Sequence, residues 1–122
     1  MGYLPYVIIL GAVIVIGALV LESAVAKRKK LKIYRLSDSI VNLSNLHTLS
    51  IIGTGLTYLP DSIGKLNNLN SLFLNGNKLT SIPESICNLP TNCYISVDNN
   101  NICDEQYHYD CIDNWGQQNC GD

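Results

Sequence analysis

The side chains best suited to chemistry are five cysteines, Cys87, Cys93, Cys103, Cys111 and Cys120, all in the last third of the chain. Such a cluster serves a metal site, a nucleophilic thiol or covalent cross-linking. A structural zinc site wants closely paired cysteines. Here five, nine, seven and eight residues separate successive cysteines, and only His108 lies nearby as a nitrogen ligand. A catalytic thiol needs a depressed pKa, whereas Asp104, Glu105 and Asp110 around His108 would raise it. His47 stands far off in sequence, at the opposite end of the repeats described below. Asp98-Asn99-Asn100-Asn101 with Asp104 and Glu105 offers oxygen ligands but no EF-hand register. No phosphate loop, G-x-S-x-G, H-E-x-x-H or dinucleotide fingerprint occurs. The expectation is a non-enzyme without cofactor, metal or small-molecule substrate. Cross-linking is left, with reduced structural thiols as the competing state. Five is odd, so at least one thiol stays free or pairs between chains, and spacing alone does not select the partners.

The elements that must position these cysteines belong to a repeating chain. Leu36, Ile40, Leu43 and Leu46 return 23 residues later as Leu59, Ile63, Leu66 and Leu69, then as Ile82, Ile86 and Leu89. Between these blocks Leu46, Leu49, Ile51, Thr54 and Leu56 match Leu69, Leu72, Leu74, Asn77 and Leu79. The same offset lands on Ile95, Val97, Asn100 and Ile102. A fixed period of this size signals a solenoid whose units bury their apolar faces against one another. Leu49/Ile51, Leu72/Leu74 and Ile95/Val97 alternate as short strands do. Gly53, Gly55 and Gly76 flank the turns that follow. Pro60-Asp61-Ser62 and Pro83-Glu84-Ser85 suit the opening of a short helical or 3₁₀ turn.

The pattern L-x-x-L-x-L-x-x-N-x-L-x-x-L-P-x-x-I-x-x-L resembles the short, typical class of leucine-rich repeats over residues 36–102. The resemblance implies an α/β solenoid of about 2.5–3 repeats, with parallel strands on its concave face. It implies that Asn77 and Asn100 bond the backbone of neighbouring turns from inside as a ladder. Thr54, in the same place, supplies only part of that network. The cysteine cluster resembles the disulfide-stapled C-terminal cap of extracellular leucine-rich-repeat proteins, which puts a cap at 103–122. Tyr107, Cys111 and Trp115, four apart, would line one face of a short helix in that cap, with Ile112 beside them.

Residues 1–26 read as a transmembrane helix. Met1–Leu21 carries no charge, and Pro5–Ala26 as a helix would span roughly 33 Å against a hydrocarbon core of about 30 Å. A basic linker follows at 27–35, holding six of the eight Lys and Arg residues. Residues 36–122 keep Lys65 and Lys78 against nine acids, so the folded part is acidic by about −7. Beside a bilayer-length segment the basic run reads as a headgroup contact rather than a nucleic-acid site, at about 1 kcal/mol per basic residue. The bilayer contact is thus expected through residues 4–26. The charge asymmetry puts the repeats on the cytoplasmic side; the cysteines put them in an oxidising compartment. Ala24-Val25-Ala26 would also serve a cleaved signal peptide. Asn42-Leu43-Ser44 matches the N-glycosylation sequon, a match frequent enough by chance to carry little alone.

What is left for function is a surface. Outward strand positions would form three rows: Thr48, Ser50, Ile52; Ser71, Phe73, Asn75; and Tyr94, Ser96, Asp98. Leucine-rich-repeat proteins bind other proteins with this face, which marks Phe73, Tyr94 and Ile52 as anchors, with Ser71 and Asn75 between them. Three strands about 4.8 Å apart make a narrow face. The chain therefore reads as a membrane-anchored adaptor or structural subunit of a larger assembly. The alternative is a secreted or surface-exposed recognition protein.

Overall fold

Apolar residues two apart along three short segments produce three strands whose middle residues face inward. In the computed structural model, which describes residues 6–10, 13–16, 35–36, 38–42 and 45–121, these are β3 (Thr48–Ser50), β4 (Ser71–Phe73) and β5 (Tyr94–Ser96). They pair in parallel and in step, Leu49 beside Leu72 and Leu72 beside Ile95. Each partner stands 23 residues from the last, as in Thr48↔Ser71.

Opposite the sheet lie three 3₁₀ helices: η1 (Asp38–Asn42), η2 (Asp61–Lys65) and η3 (Glu84–Asn88). Pro60 and Pro83 precede η2 and η3 in extended conformation, with ψ of 155° and 142°. The missing N–H and fixed φ of proline suit that place. The serines that follow do not cap their own helices. Ser62 Oγ donates to the Asp38 carbonyl at 3.4 Å, and Ser85 Oγ donates to the Asp61 carbonyl at 2.7 Å, so each ties its unit to the one before. Close approach between helices also explains Gly64, where a Cβ would run into the Ser85 carbonyl. Ile40, Ile63 and Ile86 from the helices meet Leu49, Leu72 and Ile95 from the strands in one apolar core.

After each strand the chain turns through a left-handed residue, at φ +67° in Gly53 and +70° in Gly76. Asn99 takes the same place in the next unit at φ 62°, a conformation Asn tolerates better than most side chains. These turns leave backbone groups inside the core, and buried amides satisfy them. Asn77 Oδ1 accepts from the backbone N–H groups of Thr54, Gly55 and Leu56 at 3.0–3.1 Å. Its Nδ2 donates to the carbonyls of Ile51 and Leu74 at 2.7 and 3.0 Å. Asn100 repeats the arrangement: Oδ1 accepts from Leu79 N at 3.0 Å, and Nδ2 donates to the Leu74 and Val97 carbonyls at 2.9 Å. Thr54 does not mimic these amides; its hydroxyl donates to Asn77 Oδ1 at 3.1 Å.

Two parts differ from the sequence expectation. The C-terminal cap is not a helix beyond the three residues of η4 (Glu105–Tyr107), whose N-cap Asp104 accepts from Gln106 N at 3.1 Å. Residues 113–119 instead run along the open edge of β5 through bridges Ser96↔Asn114 and Asn100↔Gln118. An unpaired strand edge demands partners more strongly than a weak helix pattern supplies its own. Tyr107, Cys111 and Trp115 still pack on the core, and Ile112 is buried in it.

The second difference concerns the expected transmembrane helix. Its described residues form two strands, β1 (Tyr6–Leu10) and β2 (Val13–Ile16), paired antiparallel, with β1 parallel to β3 at the other edge of the sheet. The remainder of 1–26 and most of the basic linker lie outside the described residues. Among the described residues no helix is long and apolar enough to cross a membrane. A run of Val and Ile satisfies its backbone either as a helix in lipid or against a sheet edge, and these residues show the second arrangement.

Removing the Asn77 or the Asn100 amide strands several buried backbone groups at once. Asn77→Ala and Asn100→Ala should each lower the unfolding free energy by about 1–3 kcal/mol or more, measured by urea denaturation. An unchanged midpoint for Asn77→Ala would show that these bonds do not hold the turns.

Candidate protein-binding face and its bridged end

The outward residues of the sheet divide by what the cap leaves uncovered. Ile52, just past β3, is 52 % exposed, and Tyr94 on β5 is 43 % exposed. Phe73 on β4 lies between them, half-buried, with its ring centroid 6.0 Å from that of Tyr94 and tilted by 50°. Aromatic pairs favour this tilted contact, which holds both rings in place. Thr48, Ser50, Ser71 and Asn75 are half-buried around them.

The third row is not open as the strand alternation suggested. Ser96 is only 2 % exposed. Its hydroxyl oxygen accepts from Asn75 Nδ2 at 2.8 Å and from Asn114 Nδ2 at 2.9 Å. Asp98 is also engaged, its Oδ1 accepting from Gln117 N at 2.8 Å. Asp113 accepts from Ile95 N at 2.8 Å. The face that can meet a partner therefore narrows to Ile52, Phe73 and Tyr94, with Ser71 beside them and Asn75 held by the cap.

The cap completes the ladder of amides with a residue that the repeat did not mark. Gln118 Oε1 accepts from Ile102 N at 3.0 Å, while Nε2 donates to the Val97 and Trp115 carbonyls at 3.0 and 2.8 Å. It does for the third turn what Asn77 and Asn100 do for the first two. Its distance of 18 residues from Asn100 falls outside the repeat period, so only a buried-amide inventory of the cap could have found it.

Two disulfides close this end, Cys87–Cys111 and Cys103–Cys120. The first ties η3 to the cap; the second closes the cap on itself. Cys93 is the free thiol, buried beside a cavity of about 200 Å³ that Cys87 and Cys111 also line. Burial, and then the charge of Asp113, push its pKa up to about 11, so it is no nucleophile at neutral pH. His108 is not paired with a thiol. Its ring stacks on Trp115 with centroids 4.3 Å apart, and its Nε2 lies 3.3 Å from the Ile102 carbonyl. His47, exposed, holds the Asn68 carbonyl at 3.1 Å from Nδ1. Among the described residues no three His, Cys, Asp or Glu side chains are grouped to hold a metal ion. Another exposed aromatic, Tyr58, carries Arg35 over its ring at 4.0 Å.

The thiol gives a pH signature with a definite sign. Its pKa rises from 9.0 to about 11 on folding, so the stability linked to it is complete below pH 9.0 and is lost as pH climbs towards 11. Unfolding free energies of wild type and Cys93→Ala, followed from pH 8 to 11, should therefore converge with rising pH. A constant difference would contradict the burial of this thiol. Peptide mapping without reductant should show the Cys87–Cys111 and Cys103–Cys120 links, and Cys93 alone should alkylate after denaturation.

No protein-family model matches the chain, and no curated protein matches it.

Proposed function

We propose that the protein is a non-catalytic, membrane-held interaction module of the leucine-rich-repeat type, acting as an adaptor or structural subunit in a larger assembly. The observation that carries this reading is the exposed Ile52–Phe73–Tyr94 cluster on a sheet whose remaining outward positions are polar or covered. The in-step parallel strands and the ladder of amides at the repeat offset support the solenoid reading. So does the second face, where η2 packs between η1 and η3. Membrane attachment rests on the uncharged Met1–Leu21 stretch and the basic run after it. The partner is another protein. Apolar and aromatic anchors of this kind each contribute about 2 kcal/mol or more when a partner buries them. The acidic surface of the repeats favours a basic complement, more through association rate than through affinity.

A second reading is favoured by the two disulfides. Bridges persist in oxidising compartments, so we place the repeats on the exported side, against the direction of the basic linker. On that side the chain serves as a surface recognition protein, and release after Ala26 would make it a secreted one.

Two measurements test the proposal. Ile52→Ser with Tyr94→Ala should abolish co-purification with the partner while changing melting by no more than a few degrees, because both side chains lie outside the core. Retained co-purification would move the contact to the 3₁₀ face, the cap or the N-terminal segment. Full-length protein should also remain in the membrane pellet through alkaline carbonate. A soluble chain beginning at Lys27 would establish the secreted form instead.

A further inference from the structure

We propose that Asn42 is a glycan acceptor, so that the 3₁₀ face of the protein carries an N-linked oligosaccharide. The inference rests on the exported placement argued above. Of all the asparagines in the chain, only Asn42 has Ser or Thr two residues on, in Asn42-Leu43-Ser44. By itself that match is weak. Three features of the structure strengthen it. Asn42 is exposed, as the last residue of η1. The residues that end η2 and η3, Lys65 and Asn88, are exposed in the same way, so this place points to solvent in three successive units. Finally, the two disulfides place the chain where the glycosylating machinery works.

Position also makes the modification compatible with binding. The strands and the 3₁₀ helices form opposite sides of the core, so a glycan on η1 leaves Ile52, Phe73 and Tyr94 open. The transfer needs one co-reactant, an oligosaccharide linked to a lipid diphosphate. The side-chain nitrogen of Asn42 attacks the first carbon of the sugar. The bond from that carbon to the diphosphate oxygen breaks, its electron pair leaves with the lipid diphosphate, and the amide loses one proton to the transferase. The hydroxyl of Ser44 is the part of the sequon that the transferase reads. A bulky, hydrated group at this site would block lateral packing of the 3₁₀ face against a bilayer or a second chain.

The full chain, expressed in a eukaryotic secretory host, should lose mass on treatment with peptide N-glycosidase. Asn42 should then be recovered as aspartate in the tryptic map. Asn42→Gln and Ser44→Ala should abolish the shift, and Ser44→Thr should keep it. Lys65→Asn with Asn67→Thr, made in the Asn42→Gln background, writes a sequon at the matching exposed place in η2. Modification of this variant but not of wild type would overturn Asn42 as acceptor while keeping the exported placement. Modification of neither, with five alkylatable thiols, would overturn the placement and the acceptor together. A shift that persists in Asn42→Gln would also overturn the proposal.

Discussion

A short stack of narrow turns faces one dominant constraint: every turn drives backbone N–H and carbonyl groups into the interior. Leaving such groups unpaired costs as much as a lost hydrogen bond each. The buried amides of Asn77, Asn100 and Gln118 remove that cost, each serving donors and acceptors on two adjacent turns. Because one amide spans two units, no unit's loop is satisfied without its neighbour. The bonds thus set the spacing of the strands as well as the shape of the turns. Leu49, Leu72 and Ile95 then share one buried column, since the register that pairs the strands is the register the amides impose.

The ends of such a stack follow from the same constraint. The edge of β5 has open backbone groups and an incomplete ladder, and residues 113–119 satisfy both. Val97 and Asn99 donate to the Asn114 and Gln117 carbonyls at 2.9 and 2.7 Å. Meanwhile Gln118 supplies the missing amide. The disulfides hold this segment in place by limiting the freedom of an otherwise irregular chain. In doing so the cap also decides the binding face. Asn114 and Gln117 occupy the third row, and apolar exposure concentrates on Ile52, Phe73 and Tyr94. Closure and recognition are therefore not separate features of this end.

The parts legible in the sequence were those governed by a local period. Alternation placed β3, β4 and β5, Pro60 and Pro83 marked the entry to η2 and η3, and the 23-residue offset pointed to the bonds of Asn77 and Asn100. What escaped was set by partners distant in sequence. Gln118 stands off the period, and the cysteine pairs depend on where the cap crosses η3. Ser96 alternates like an exposed residue and is covered by a segment that no strand pattern announces. Serines that read as helix caps bond to the preceding unit because the 3₁₀ helices are short and closely packed. Four-residue spacing in the cap read as a helix, but it reflects packing of Tyr107, Cys111 and Trp115 along a bridged loop.

The N-terminal stretch poses the sharpest physical choice in the molecule. Val7, Ile8 and Ile9 lie beside β3 as a strand, while their sequence context has the length and apolarity of a membrane segment. Both arrangements answer the same demand, since the edge of β3 and a hydrocarbon interior each leave no polar group unpaired by preference. They are exclusive for the same residues. Strand pairing keeps the repeat sheet continuous with the segment, whereas a helix in lipid frees the β3 edge and brings the basic run at 27–35 to the headgroups. The freed edge would then itself be a surface for adding another chain's strand. Membrane insertion and assembly are coupled on this account, because inserting the segment uncovers the edge beside Ile52 and Phe73.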